Sequence, residues 1–190
     1  MQTAATKAVQ GYDKAKAKEH YKKALKEQGK KQITINLLGD DTDDAKKVTE
    51  FIQSALESTL GMKVEVSNVP FKTRLSRVSS LKFDVVATGW TADFSDPISF
   101  LDLLTKGNAY NYSKWESTAY NKNVSLSKTT GSTAICWKAM MAAERALLED
   151  QGVITPLYYT NEATLVKTSV KGVVFNGAGS PYNFKEAYIN

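Results

Sequence analysis

Two hydrophobic periods alternate along the chain, and the switches between them mark out its elements. Residues 33–38 (ITINLL) and 62–66 (MKVEV) set their apolar positions on the short period of strands. A third stretch, residues 83–88 (FDVVAT), is short, valine-rich and closed by Gly89, and it predicts a buried strand. Helical spacing fills the gaps. Residues 42–60 place Val48, Phe51, Ile52, Ala55, Leu56 and Leu60 at i, i+3, i+4 intervals and stop at Gly61. Residues 70–78 predict a shorter helix. Strand, helix, strand, helix, strand with connections this long implies parallel strands joined by right-handed crossovers. All three carboxyl ends then reach one edge, which holds Gly39-Asp40, Ser67-Asn68 and Gly89-Trp90; Gly39-Asp40-Asp41 turns the chain there.

The flanks extend this α/β pattern. Residues 12–28 predict a lysine-rich amphipathic helix, capped by Asp13 and ended by Gly29, with Ala17, Tyr21, Ala24 and Leu25 as a narrow apolar stripe. Asp96-Pro97 opens another helix, since aspartate caps well and proline suits the first helical position. That helix, residues 97–104, turns Ile98, Leu101, Leu103 and Leu104 inward. Residues 106–118 (KGNAYNYSKWEST) form a loop with aromatic tips, which suits adaptable ligand contacts; packing explains its tyrosines equally well. Residues 132–150 form a long helix burying Ile135, Cys136, Ala139, Ala142, Ala143, Ala146 and Leu147. Short strands follow at 153–159, where Pro156 favours an edge or bulge, and at 163–166 and 170–175. Residues 176–190 are the least orderly. The expected fold class is α/β: a central, mostly parallel sheet flanked by helices, with 1–190 as a single lobe and 1–11 disordered.

Composition changes little in this picture. The 190 residues carry a formal charge of +5 and a sequence pI near 9.1, with 42% hydrophobic and 24% charged residues, ordinary values for a globular domain. No apolar run approaches the ~18 residues of a membrane helix. The first twenty residues lack the apolar stretch of a signal peptide. Cys136 is the only cysteine, so no internal disulfide forms, and it reads as a small buried hydrophobe. The positive charge concentrates between Lys7 and Lys31. A nucleic-acid surface calls for arginine with interleaved aromatics, whereas these cations are nearly all lysine, the mark of a solvated helix face. A basic polyanion-binding domain is therefore the lesser alternative, and nucleic acid is not an expected partner.

Catalytic chemistry lacks its parts. His20, the only histidine, lies on the lysine-rich helix, so a histidine-based triad has no placed base. Neither a dinucleotide-binding nor a phosphate-loop glycine motif occurs. Histidine and cysteine are too few for a zinc site. The run Asp40, Asp41, Asp43, Asp44 lacks the glycine and closing glutamate of a calcium loop, and capping of the next helix accounts for it. Asp93 and Asp96 are a conceivable carboxylate pair, but Asp96 is committed as a cap. No catalytic residue, cofactor or metal is expected. What remains is Trp90 and Asp93, in a loop past the third strand, where open parallel sheets hold ligands. An indole wall and one negative charge suit a ligand with a cationic end and a tolerant body.

The run GWTADFSDPISFLDLL, residues 89–104, resembles the C-terminal lobe of the substrate-binding proteins of oligopeptide ABC transporters, the peptide/nickel type of extracellular solute-binding protein. Further matches occur in order: Gly61-Met62-Lys63-Val64-Glu65-Val66, the Ala143-Glu144 helix with Pro156-Leu157-Tyr158-Tyr159, Val170-Lys171-Gly172-Val173, and residues 184–189. The resemblance implies that Asp93 receives the α-ammonium of a bound peptide. It implies that Gly89 and Thr91 pair with the peptide backbone as a strand would, and that Trp90 lines the side-chain pockets. Some relatives carry an arginine for the peptide carboxylate where this chain has Ala87, which leans toward longer peptides. By the same resemblance the chain is one lobe of a two-lobed protein, with residues 176–190 belonging to the other lobe. The implied partners are oligopeptides, the missing N-terminal lobe and a membrane permease. The implied location is outside the cytoplasm, at the cell surface or in the periplasm, with a lipid anchor. A different cargo on the same scaffold (a signalling peptide, haem or nickel) is the alternative.

Overall fold

The computed structural model describes residues 12–190, so the expectation for residues 1–11 lies outside it. The described residues divide into two compact units, 12–89 and 90–190.

The first unit opens with α1 (Lys14–Gln28). Asp13 Oδ1 accepts from the backbone N–H groups of Ala15 and Lys16 at 3.0 Å, and Gly29 ends the helix at φ 62°. Its lysines are exposed, while Ala17, Tyr21, Ala24 and Leu25 are half-buried, the stripe expected from spacing. The Tyr21 hydroxyl accepts from Ile33 N–H at 3.1 Å, tying the helix to the chain entering the sheet.

The sheet comprises β1 (Thr34–Asp40), β2 (Lys63–Val69) and β3 (Val85–Val86), all parallel, in the order β2-β1-β3. The crossovers are α2 (Asp43–Leu60) and α3 (Phe71–Ser79). Successive residues of a strand point to opposite faces. Gly39 and Asn68 accordingly meet Thr49 of α2, whereas Asp40 and Ser67 bond Arg74 and Arg77 of α3. Leu37, Leu38, Val64 and Val78 are the buried apolar residues of this unit. Each contributes on the order of 1.5–3 kcal/mol by leaving water.

Three expectations need correction here. Gly39-Asp40 is not a turn: β1 runs on through it, with Gly39 paired to Asn68 and Asp40 to Val69 at the end of β2. The third strand is not a buried six-residue element. Its ladder spans Val85–Val86, extended by hydrogen bonds from Asp84 N–H to Asn36 and from Ala87 N–H to Leu38, and Val85 is exposed. Among the described residues it lies at the sheet's edge with one neighbour. On α2, Phe51 is exposed and Thr49 is the fully buried residue. A hydroxyl bonded to the carbonyls of Ala45 and Lys46 can be buried where apolar periodicity would not place it.

In the second unit, α4 (Ile98–Leu101) tightens into a 3-10 turn at Asp102–Leu104. Then come α5 (Thr118–Thr129) and α6 (Thr133–Arg145), the latter relaxing into a wider turn over Ala146–Asp150. Leu101, Leu104, Tyr120, Val124, Met140, Ala143 and Leu147 form one core. Helix α5 has no counterpart in the sequence reading, because its stretch is rich in Asn, Ser, Thr and Lys. It forms because Ser117 Oγ caps Tyr120 N–H and because Tyr120, Val124 and Ser127 share one buried face. Tyr120 donates its hydroxyl proton to the Leu101 carbonyl and packs edge-on against Trp115 at 5.0 Å. Burial, then the charge of Asp102, pushes its phenol well above the usual 10.0. On α6, Ile135 and Ala142 are exposed, contrary to the expected buried side, and Met140 is buried instead. Cys136 is half-buried, its thiol donating to the Ser127 carbonyl at 3.3 Å.

Residues 153–166 form no ladder among the described residues, although strands were expected there. The third expected strand is broken by Gly172 at φ 73° into β4 (Val170–Lys171) and β5 (Val174–Phe175). These pair antiparallel with β7 (Tyr188–Ile189) and β6 (Tyr182–Asn183), respectively. The tail is thus more ordered than its glycine and proline content suggested.

Candidate functional site

The carboxyl edge of the sheet is braced from both faces. On the α3 face, the guanidinium of Arg74, 4% exposed, donates from Nε to Asp40 Oδ1 at 2.7 Å and from Nη1 to Thr88 Oγ1 at 3.2 Å. The Phe71 ring lies 5.0 Å beneath it. On the α2 face, Thr49 and Asn68 exchange hydrogen bonds beside Gly39. Gly89 follows Thr88. A Cβ there would meet nothing within 4 Å, and its φ lies outside the left-handed region. Neither backbone strain nor crowding accounts for glycine at that position. Its effect is a bare, approachable backbone.

The other expected site residues begin the second unit. The loop carrying Trp90, Thr91 and Asp93 is held at its far end by Ser99, whose buried hydroxyl accepts from Asp93 N–H at 2.9 Å. Asp96 Oδ1 accepts from Ile98 N–H at 2.8 Å, the capping role expected of it. Gly179 N–H donates to the Ala92 carbonyl at 2.8 Å. Gly179 stands at φ 72°, where a Cβ would come within 2.9 Å of the Asp93 carbonyl. With its backbone fixed at two points, Asp93 extends an exposed carboxylate that forms no salt bridge among the described residues.

Trp90 is half-buried and meets Tyr110 edge-on, with ring centroids 4.7 Å apart; Tyr112 lies 6.3 Å beyond Tyr110. The Trp90 Nε1–H group is buried without an acceptor among the described residues. The tyrosines are held by a loop built around Asn111, 3% exposed, whose side-chain amide donates to the carbonyls of Leu104, Thr105 and Trp115. Asn108 Oδ1 in turn accepts from Tyr110 N–H. Trp90, Thr91 and Asp93 thus share one braced loop, with Tyr110 against Trp90, while Gly89 closes the first unit. The second unit offers a fixed negative charge and an aromatic wall, and the first ends in an open stretch of backbone. Spacing gave no sign of Arg74, Ser99 or Gly179, because each acts through a tertiary hydrogen bond.

Residues 2–112 match the pattern of a described family, the bacterial extracellular solute-binding proteins, family 5 (middle region). The chain belongs to this family. Among curated relatives, a dipeptide-binding protein of Lactococcus lactis subsp. cremoris is 34% identical over 183 residues, covering 94% of this chain and 33% of the relative. A solved oligopeptide ABC transporter substrate-binding domain from Bacillus anthracis superposes with a TM-score of 0.84 at 30% identity, covering 97% of this chain and 37% of that one. Listeria monocytogenes OppA bound to peptide gives 0.83 at 35% identity, with 97% and 36% covered. The chain spans about a third of the length of the relatives it matches. The α/β architecture with a parallel sheet, expected from the sequence, is the fold these solved structures share with it.

Proposed function

We propose that this chain is the C-terminal lobe of a longer family 5 protein that captures oligopeptides outside the cytoplasm and delivers them to a membrane permease. A lipid anchors the whole in this reading. The lobe binds and does not catalyse. Asp93 receives the peptide's α-ammonium, Gly89 and Thr91 pair with its backbone as an added strand does, and Trp90 with Tyr110 lines a side-chain pocket. The reading is carried by the Asp93 carboxylate, exposed and without a salt bridge among the described residues, on a loop fixed by Ser99 and Gly179. Such a charge, enclosed by a second lobe, needs a cation, and a peptide's amino end supplies one. Backbone pairing gives affinity without reading side chains, which suits varied peptides.

Calorimetry on the full-length protein tests this with tetra-alanine as ligand. Asp93→Ala is expected to weaken binding roughly thirtyfold or more, as removal of one partner from an enclosed charge pair weakens it by about 2–5 kcal/mol. Unchanged affinity defeats the assignment.

A further inference from the structure

Gly89 has no side chain, and a Cβ there would meet nothing within 4 Å, so no side chain of its own holds it in place. Its support comes from Thr88, whose hydroxyl is the last side-chain handle before it in the first unit. That hydroxyl accepts from Arg74 Nη1 at 3.2 Å, while Nε of the same guanidinium is bonded to Asp40 at 2.7 Å. Asp40 ends β1, and Thr88 lies just past β3, whose pairing with β1 runs on to Ala87. One planar, buried cation therefore joins the carboxyl ends of two neighbouring strands. Its own place is set by α3 and by the Phe71 ring. The arrangement exceeds what a surface ion pair does, because Arg74 is 4% exposed and its fork fixes the angle between both partners.

We propose that Arg74 is a positioning residue for peptide binding: through Thr88 it holds the Gly89 backbone where an incoming peptide pairs with it. This rests on the assignment of Gly89 as ligand-pairing backbone. Arg74 does not touch the peptide; it removes the freedom of the strand the peptide joins. Preorganised backbone loses less entropy on binding, and the gain is read mainly in slower dissociation.

The test compares Thr88→Val, which keeps the branched shape and deletes the acceptor, with Thr88→Ser, which keeps the hydroxyl. In the full-length protein, Thr88→Val is expected to weaken tetra-alanine binding about threefold to tenfold, through faster dissociation. Thr88→Ser is expected to bind as the parent does. In the unliganded protein, the backbone heteronuclear NOE of Gly89 falls in Thr88→Val and is retained in Thr88→Ser. An unchanged NOE in Thr88→Val overturns the positioning role whatever the peptide does. Equal losses of affinity in both variants overturn it too. Asp93→Ala, measured alongside, separates the two ideas. If it weakens binding and Thr88→Val does not, the role of Arg74 is wrong and the peptide site stands; if neither weakens binding, both are wrong.

Discussion

Gly39 and Gly89 both sit at the carboxyl edge of the sheet, and the structure gives them opposite reasons to be glycine. A Cβ on Gly39 would lie 2.7 Å from Asn68 Oδ1 and 2.7 Å from the Thr49 methyl group. Thr49 cannot swing aside cheaply, because it is fully buried and its hydroxyl bonds the carbonyls of Ala45 and Lys46 as well as Asn68. Overpacking of this kind costs about 1–3 kcal/mol. Loss of one hydrogen bond adds about 0.5–1.5 kcal/mol. Replacing glycine by alanine returns about 0.4–1 kcal/mol through the unfolded chain. Gly39→Ala is therefore expected to destabilise by about 0.5–4 kcal/mol, with a central value near 2. Urea unfolding followed by circular dichroism reads this as a lower midpoint at unchanged slope. Thr49→Ser, which removes the offending methyl and keeps the hydroxyl, should restore part of the loss in the double variant. Gly89→Ala meets no neighbour and should leave the midpoint unchanged or slightly higher. A Gly39→Ala protein as stable as the parent refutes the reasoning.

Three further outcomes follow from the same contacts. Tyr120→Phe strips the Leu101 carbonyl of its buried donor and should destabilise by about 1–3 kcal/mol in the same urea assay; no change would contradict the role of that bond. The phenol of Tyr120 is raised in the folded state, so its contribution is complete below pH 10.0 and declines as pH rises above that value. A melting temperature that falls more steeply above pH 10.0 in the parent than in Tyr120→Phe bears this out, and parallel curves oppose it. This chain alone, a third of the length of its relatives, should bind tetra-alanine more weakly than micromolar; micromolar or tighter binding by calorimetry would show that one lobe suffices.

The sequence revealed most where local chemistry decides. Asp13, Gly29, Thr42, Gly61 and Ser132 sit at helix ends in both reading and structure, since caps depend on residues a turn apart. Parallel order followed from connection length alone. Legibility ended where a distant partner decides. Gly39-Asp40 looks like a turn in one dimension, yet it continues β1 because Asn68 and Thr49 need the room and Arg74 needs the carboxylate. Helix α5 was hidden by its polar composition; the Ser117 cap and the buried face of Tyr120, Val124 and Ser127, with Tyr120 reaching the Leu101 carbonyl, are what form it. Residues 153–166 carry strand-like composition without a ladder among the described residues, since composition supplies no partner. In the candidate site, the loop from Trp90 to Asp93 stood out by its indole and carboxylate. The groups that hold it, Ser99 and Gly179, did not.

The most direct test is a calorimetric cycle on the full-length protein, pairing Asp93→Asn with N-acetylation of tetra-alanine. If the carboxylate takes the peptide's ammonium, Asp93→Asn and acetylation each weaken binding by roughly thirtyfold or more, and the two losses do not add. Equal affinity of Asp93→Asn and the parent for the free peptide, or losses that add in full, would contradict the account.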